Sequence, residues 1–356
     1  MTKVFKAALV IVILLFTIGE GNAQLNRKAI KKNNKRMSSF KGKKNNFDKN
    51  KRYNYVGFTV NSLNYFGDLS PLSKAVSTDI SFTRPGFGLT FAHRFGPRYT
   101  FRGEFMYGTL SGSDFDSADP NDNDAKYRYV RNLQFRNRIK ELTMTAVFDL
   151  FKNESSYITR AVWTPYAYIG VTLLHHNPKG YVGEDSGLPE AGSWVALKPL
   201  GTEGQNGDVL DTDANAGIKP YKNIQLAIPF GIGVRYKLNQ AMDLSFEFGT
   251  RYLFFDYIDD VSANYVDVSR FSDPLAAYMS DRSRELTDAV SGTTRDAAVV
   301  SEVTGGTLGQ GTPFSGFGTE QVDNLRGNKK NNDVYMVTTI RITYILGGKF
   351  MKAKFR

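Results

Sequence analysis

The 356-residue chain has no cysteine, only three histidines and two tryptophans, and no run of 18 apolar residues. Each scarcity excludes something. Without cysteine there are no disulfides, so stability in an oxidising compartment comes from elsewhere. Without a long apolar run there is no helical membrane span. No Gly-x-Ser-x-Gly nucleophile accompanies the histidines, which leaves serine-hydrolase chemistry without its usual turn. Acid is also scarce in one place: residues 25–53 hold twelve of the 46 Lys and Arg and a single carboxylate, Asp48.

What is present points outside the cytoplasm. Lys3 and Lys6 precede an apolar stretch from Ala7 to Ile18, followed by small residues ending at Ala23. These are the three regions of a secretory signal peptide, expected to span 1–23 with cleavage after Ala23. The net charge of +11 divides into +1 on 1–23, +11 on 24–52 and +4 on the last eight residues, leaving −5 on 53–348. The basic character therefore belongs to the ends, and export takes it away from nucleic acid. Residues 24–52 have too few apolar groups to fold alone and are expected to form a disordered periplasmic tail. Residues 347–356 are expected to form a second, basic periplasmic tail.

The body is rich in aromatics (26 Phe, 19 Tyr) and in glycine (33), a composition that favours β-structure. In "IQLAIPFGIGVRYKL" the set Ile224, Leu226, Ile228, Phe230, Ile232, Val234, Tyr236 and Leu238 is wholly apolar. Arg235 and Lys237 fall in the intervening set. Period two over such a length means a long strand with two unlike faces. "YTFRGEFMYG", "ELTMTAVFDLF" and "MDLSFEFGTRY" repeat the pattern, and noisier runs cover 53–65, 84–95, 163–175 and 333–346. Eight strands result. Their connections alternate short and long: Gly96-Pro97, Asn239-Gln240 and the eleven-residue stretch 152–162 on one side, and 66–83, 111–134, 176–223 and 253–332 on the other. An even strand number with lopsided connections is the layout of an outer-membrane barrel. The expectation is an all-β, eight-stranded antiparallel barrel over 53–346 in the outer membrane, with long extracellular loops and both termini periplasmic. A soluble barrel would instead turn its apolar set inward.

The segments "NYFGDLS" (64–70), "RPGFGLTFAHRF" (84–95), "RNLQFRNRIKEL" (131–142), "TPYAYIGVTLLHHNPKG" (164–180), "LKPLGTEGQ" (197–205), "IPFGIGVRYKL" (228–238) and "FDYIDDVSANYVD" (255–267) occur in this order. Together they resemble the PorG-like outer-membrane barrels of Bacteroidota. The resemblance implies a component of the type IX secretion and gliding machinery, associated with periplasmic ring proteins of the PorK and PorN type. The basic tail and the long final loop depart from a minimal member of that family.

An eight-stranded interior is just wide enough to be filled by side chains. The inward set includes Arg94, Arg102, Arg235, Arg251 and Arg341 with Glu104, Glu141, Asp149, Asp243 and Glu247. This balance predicts a paired structural network and no open pore, because an unpaired buried charge is costly. His93, His175 and His176 are the only imidazoles, and the last two are expected to hydrogen-bond at the rim. No catalytic, cofactor or metal site is expected. The aspartate-rich "SDFDSADPNDNDA" (113–125) reads as a solvated loop, bridged at most by divalent ions to lipopolysaccharide phosphates. "GGTLGQGTPFSGFG" (305–318) lacks the Gly-Lys-Ser/Thr ending of a phosphate loop and reads as flexible.

In the tail, Lys31, Lys32, Lys35, Arg36, Lys43 and Lys44, with Phe40 and Phe47 as apolar anchors, are the candidate contacts to an acidic periplasmic ring. Outer-membrane lipid and lipopolysaccharide are the other expected partners. The function expected is a non-enzymatic barrel that anchors or positions the secretion machinery. The alternative is a surface adhesion or ligand-binding barrel that uses its long loops.

Overall fold

The computed structural model describes residues 47, 51–69, 83–123, 125–207, 209–309 and 311–346. The expected signal peptide, the tail except Phe47, Lys51 and Arg52, and the C-terminal tail lie outside the described residues.

Eight strands close on themselves: β1 (Tyr53–Phe66), β2 (Arg84–Arg94), β3 (Tyr99–Ser113), β4 (Gln134–Asp149), β5 (Trp163–His175), β8 (Ile224–Lys237), β9 (Met242–Leu253) and β10 (Val334–Leu346). Every neighbouring pair is antiparallel. β1 lies between β2 and β10, and the β3–β4 pairing completes the circle. Closure leaves no open sheet edge along the spanning strands, the condition for burying a sheet in lipid. Two further strands, β6 (Pro178–Tyr181) and β7 (Trp194–Ala196), extend the wall past the end of β5, with β6 pairing along the first part of β4. Among the described residues no helix is long and apolar enough to cross a membrane.

The two faces separate as alternation requires. Outward positions along the middle of the strands are apolar and exposed, such as Leu89 on β2 (64%) and Ile232 on β8 (65%). Inward positions are buried and mostly polar or charged. A soluble protein would have the opposite arrangement, so the outward belt is lipid-facing surface. Aromatic side chains gather at both rims, as is usual for such barrels. Trp163 packs on Tyr236 (ring centroids 4.5 Å apart) and Phe95 on Tyr99 (6.1 Å) at the short-turn end. Tyr252 and Phe254 meet at the long-loop end (5.5 Å). The chain is thus a closed eight-stranded barrel of the outer-membrane kind.

The lumen is filled in layers. A tyrosine cluster of Tyr53, Tyr55 and Tyr157 lies towards the short-turn end. Above it sits the charged network. Towards the long-loop end the inward set changes character: Leu63, Met106, Leu110, Ile139, Leu174, Leu253 and Val337 form an apolar plug, joined by Ile258 and Val261 from the last loop. Glycine is required where the wall must admit a ring: a Cβ on Gly249 would lie 2.0 Å from the Tyr168 hydroxyl.

The long connections are not bare loops. They hold β6, β7 and four short helices: α1 (Asp114–Ser117), α2 (Lys126–Arg131), α3 (Pro274–Ser280) and α4 (Ala297–Thr304). Local chemistry sets their ends. As N-caps, Asp273 and Asp296 accept from the backbone N–H groups of Leu275 and Ala298, the second residues of α3 and α4; Pro274 opens α3, and Gly305 ends α4 at φ 67°. Two sequence expectations are corrected here. The 113–125 stretch is not simply solvated, because Asp114 and Ala118 are buried and Asp114 holds Arg131. The 305–318 stretch is not a free loop either, because Leu308, Phe314 and Phe317 pack with Tyr129, Val130, Tyr265 and Val300 in one apolar core. Burial of those two phenylalanines stabilises the fold by roughly 2–3 kcal/mol each.

Candidate functional site

The lumen network is built by strand register. β3 presents Arg102 and Glu104 inward, β9 presents Asp243, Glu247 and Arg251, and β10 presents Arg341. Glu247 is the hub: it pairs with Arg102, accepts from the Tyr166 hydroxyl at 2.7 Å, and meets Arg341 at 3.1 Å. Arg341 also reaches Glu104 at 2.8 Å and bonds the Thr90 hydroxyl. Nearer the short turns, Asp149 takes Arg94 at 2.5 Å and Arg235 at 3.5 Å. Nearer the plug, Glu141 accepts from Arg251 at 3.2 Å and from the Tyr335 hydroxyl at 2.7 Å. Nine of the ten lumen residues singled out in the sequence therefore pair with one another.

Asp243 is the exception, and its partner was not anticipated. Arg160, from the β4–β5 turn, pairs with it at 2.6 Å and also donates to the Asn239 and Gln240 carbonyls. Turn residues have no face periodicity, so nothing in the local pattern marks Arg160 as an inward plug. Tyr166 and Tyr335 could have been found, since both occupy inward positions of alternating strands.

A second charged system lies in the cap formed by the long connections. Arg326 is fully buried. It meets Glu203 at 3.0 Å and donates to the Asp260 carbonyl at 2.7 Å and the Ser280 carbonyl at 3.1 Å. Glu203 in turn accepts from the backbone N–H groups of Ser262 and Ala263. Asp260, at φ 73°, accepts from Thr202 and Tyr221, and burial, opposed by Arg326, raises its carboxyl to about 6. Arg131 grips Asp114 with two bonds (2.7 and 2.8 Å) and the carbonyls of Asp68 and Arg326. Arg295 donates to four carbonyls, those of Ser283, Glu285, Tyr129 and Val130.

Beneath the cap, the Tyr65 hydroxyl lies 2.6 Å from Asp259 and 2.8 Å from Asp333. A hydroxyl has one proton to donate, so a second full hydrogen bond here requires that one of the two carboxyls carry a proton and donate to it. Burial and adjacent carboxylates hold both acids well above the usual carboxylate range. Burial first, and then Asp68, pushes neighbouring Asp256 up to about 8. Among the described residues no group of three or more His, Asp or Glu is disposed to hold a metal ion.

The histidines have unlike surroundings. His93 Nδ1 lies 2.6 Å from the Asn54 side-chain oxygen. His175 points outward at the long-loop rim. His176 points inward, packs between Tyr221 and Phe255, and bonds the Lys222 carbonyl at 2.9 Å. Burial lowers its pKa to about 4, which keeps it neutral. The cap also carries an open groove of about 700 Å³, lined in part by Leu188, Tyr278, Arg284 and Leu286. Of the tail residues, Phe47 alone among the candidate contacts is described, and it is buried (7% exposed).

Residues 44–195 match a family described as a domain of unknown function, DUF6089. No curated protein matches the chain. Among solved structures, the chain is similar to the Neisserial surface protein A (9% identity, 82% of this chain and 96% of that one, TM-score 0.32). It is also similar to Ail, the attachment invasion locus protein of Yersinia pestis (7%, 83% and 97%, 0.32), and to the outer membrane protein OprG from Pseudomonas aeruginosa (9%, 86% and 100%, 0.31). The assignment as a barrel rests on the closed register and outward apolar belt of this chain itself.

Proposed function

We propose that the protein is a non-enzymatic, non-conducting outer-membrane scaffold that anchors or positions type IX secretion and gliding machinery through its periplasmic face. The observation that carries a scaffold role is the filled lumen. Ion pairs occupy its middle and an apolar plug closes one end, so function belongs to the two faces of the barrel. In this reading the short turns and both termini are periplasmic, and the long-loop cap is outside the cell. The resemblance to PorG-like barrels supplies the partner class, periplasmic ring proteins of the PorK and PorN type. The basic tail with Lys31, Lys32, Lys35, Arg36, Phe40, Lys43 and Lys44 supplies a contact for an acidic partner.

The test is deletion of residues 25–46 in the full chain, followed by recovery of the barrel from outer membranes. Barrel assembly, read by heat-modifiable gel migration, is expected to persist, because the strands begin at Tyr53. Co-purification of the ring proteins and export of substrate proteins are expected to fall. Unchanged recovery of the ring by the truncated chain would move the contact to the short turns, and failure of the intact chain to recover it would end the machinery reading.

The groove in the cap favours a second reading, a surface ligand-binding barrel. A ligand whose capture depends on Tyr278 and Arg284, with no ring protein recovered, would decide for it.

A further inference from the structure

Outward-facing positions on the spanning strands carry Lys or Arg in only one place among the described residues. On β4, Arg136, Arg138 and Lys140 share the outward face with Leu142 and Met144, and cover roughly 13 Å of strand at about 3.3 Å per residue. Lys179 stands beside Arg136 in the β4–β6 register, and His175 beside Lys140 in the β4–β5 register. Among the described residues, none of the four cations forms an ion pair with a carboxylate. Together with Tyr107 and Asn177 these residues line a groove of about 290 Å³. The Arg136 guanidinium is held over the Trp194 ring at 3.9 Å, with β6 and β7 extending the wall behind it.

Directly below the groove the same strands are apolar and exposed: Leu142 and Met144 on β4, Val171 and Leu173 on β5. A cationic site opening onto a hydrocarbon-facing wall has the polarity of an anionic amphiphile, with head above and chains below. Guanidinium forks bind phosphate oxygens bidentately and lysine adds a compact charge. A free anion would leave the apolar wall unused. A charged polysaccharide would leave it unused as well.

We propose that this groove binds a phosphate of a phosphorylated glycolipid in the outer leaflet, with the acyl chains lying along Leu142, Met144, Val171 and Leu173. The inference rests on the orientation proposed above, in which the long-loop end faces outward.

Native mass spectrometry of the full chain in detergent tests it, with phosphorylated and dephosphorylated lipid A as probes. The intact protein is expected to retain one phosphorylated lipid A. Arg138→Ala with Lys140→Ala should weaken retention at least tenfold, and dephosphorylated lipid A should bind the intact protein at least tenfold more weakly. Arg98→Ala, at the opposite rim, should bind as the intact protein does, and millimolar inorganic phosphate should not displace the lipid. Equal retention by the double variant, equal binding of dephosphorylated lipid, displacement by phosphate alone, or preference for a sulfated polysaccharide would each overturn the site. If the double variant fails to assemble, the dephosphorylated lipid decides alone. Orientation is read separately by Val322→Cys in a chain with no native cysteine. Labelling in intact cells by an impermeant maleimide supports the orientation, and exclusion of the label overturns it whatever the lipid result.

Discussion

The lumen and the cap both bury arginine, but they satisfy it differently. In the lumen, Arg102, Arg251 and Arg341 pair with carboxylates on other strands, whose positions are set by the register of the wall. In the cap, Arg295 donates to four backbone carbonyls, and Arg131 and Arg326 divide their donors between one main carboxylate and several carbonyls. A strand has few spare carbonyls to offer, since the ladder uses most of them. An irregular segment has many, and each buried one needs a donor. The guanidinium group, with five donors in a fixed fork, solves that problem for several chain segments at once. The lumen arginines therefore reinforce a wall already closed by hydrogen bonds, whereas the cap arginines take the place of a wall.

The largest expected effect breaks the lumen side of this comparison. Glu247→Ala leaves the buried Arg102 and Arg341 each short of a carboxylate and should cost about 3–5 kcal/mol. The thermal midpoint of barrel unfolding, followed by heat-modifiable migration, should fall. An unchanged midpoint would mean that the network adds little to the wall.

On the cap side, Arg326→Met should cost about 3 kcal/mol but only locally, by leaving Glu203 and the facing carbonyls unpaired. Hydrogen exchange and protease sensitivity should rise in 197–215 and 256–330 while the barrel midpoint stays put. Loss of barrel and cap together would show that the two regions unfold as one.

A third change sharpens the division between wall and lipid. Phe230→Arg, in the middle of β8, should cost about 2–4 kcal/mol if it lies at the bilayer midplane, and a charge at the rim should cost nearly nothing. Refolding into vesicles with a denaturant titration measures it. A spin label at Ile232 should be lipid-exposed; a water-exposed label there would refute the outward belt.

The smallest effect concerns the acids beneath the cap. Asp256 is held up to about 8 against an ordinary value of 3.8. The folded state therefore holds a proton that the unfolded chain releases between those values. Cap stability should fall as pH rises from about 4 through about 8. Asp256→Asn should flatten that dependence and, at pH 8, protect the cap by roughly 1–2 kcal/mol after allowance for partial solvent screening. Exchange protection of 256–263 across this pH range is the measurement, and a flat profile would mean that the carboxyl is ionised throughout.

The barrel wall could be read residue by residue before any coordinates. Alternation at 224–238 assigned Ile232 to the outside and Arg235 to the inside, and the unequal connections placed the strand ends to within a few residues. Period two is a local property, and a closed sheet has only two faces to distribute. The same parity identified the lumen charges, because a charge facing inward along a spanning strand has few places to go.

The cap had no such period to read. The pairing of Arg326 with Glu203, 123 residues away, follows from how four connections converge, as does the packing of Phe317 against Tyr265. So does Arg160 reaching Asp243 from a turn. What the sequence by itself determined was the closed wall, the lipid-facing side and the charged interior, through rules that act over neighbouring residues. What only the tertiary structure decided was that the lumen ends in an apolar plug, that the long connections fold into a cap around buried arginines, and that the outward cations gather at one rim. Those outcomes depend on desolvated groups finding partners across long stretches of chain, where the cost of an unpaired charge or carbonyl, rather than any local pattern, selects the arrangement.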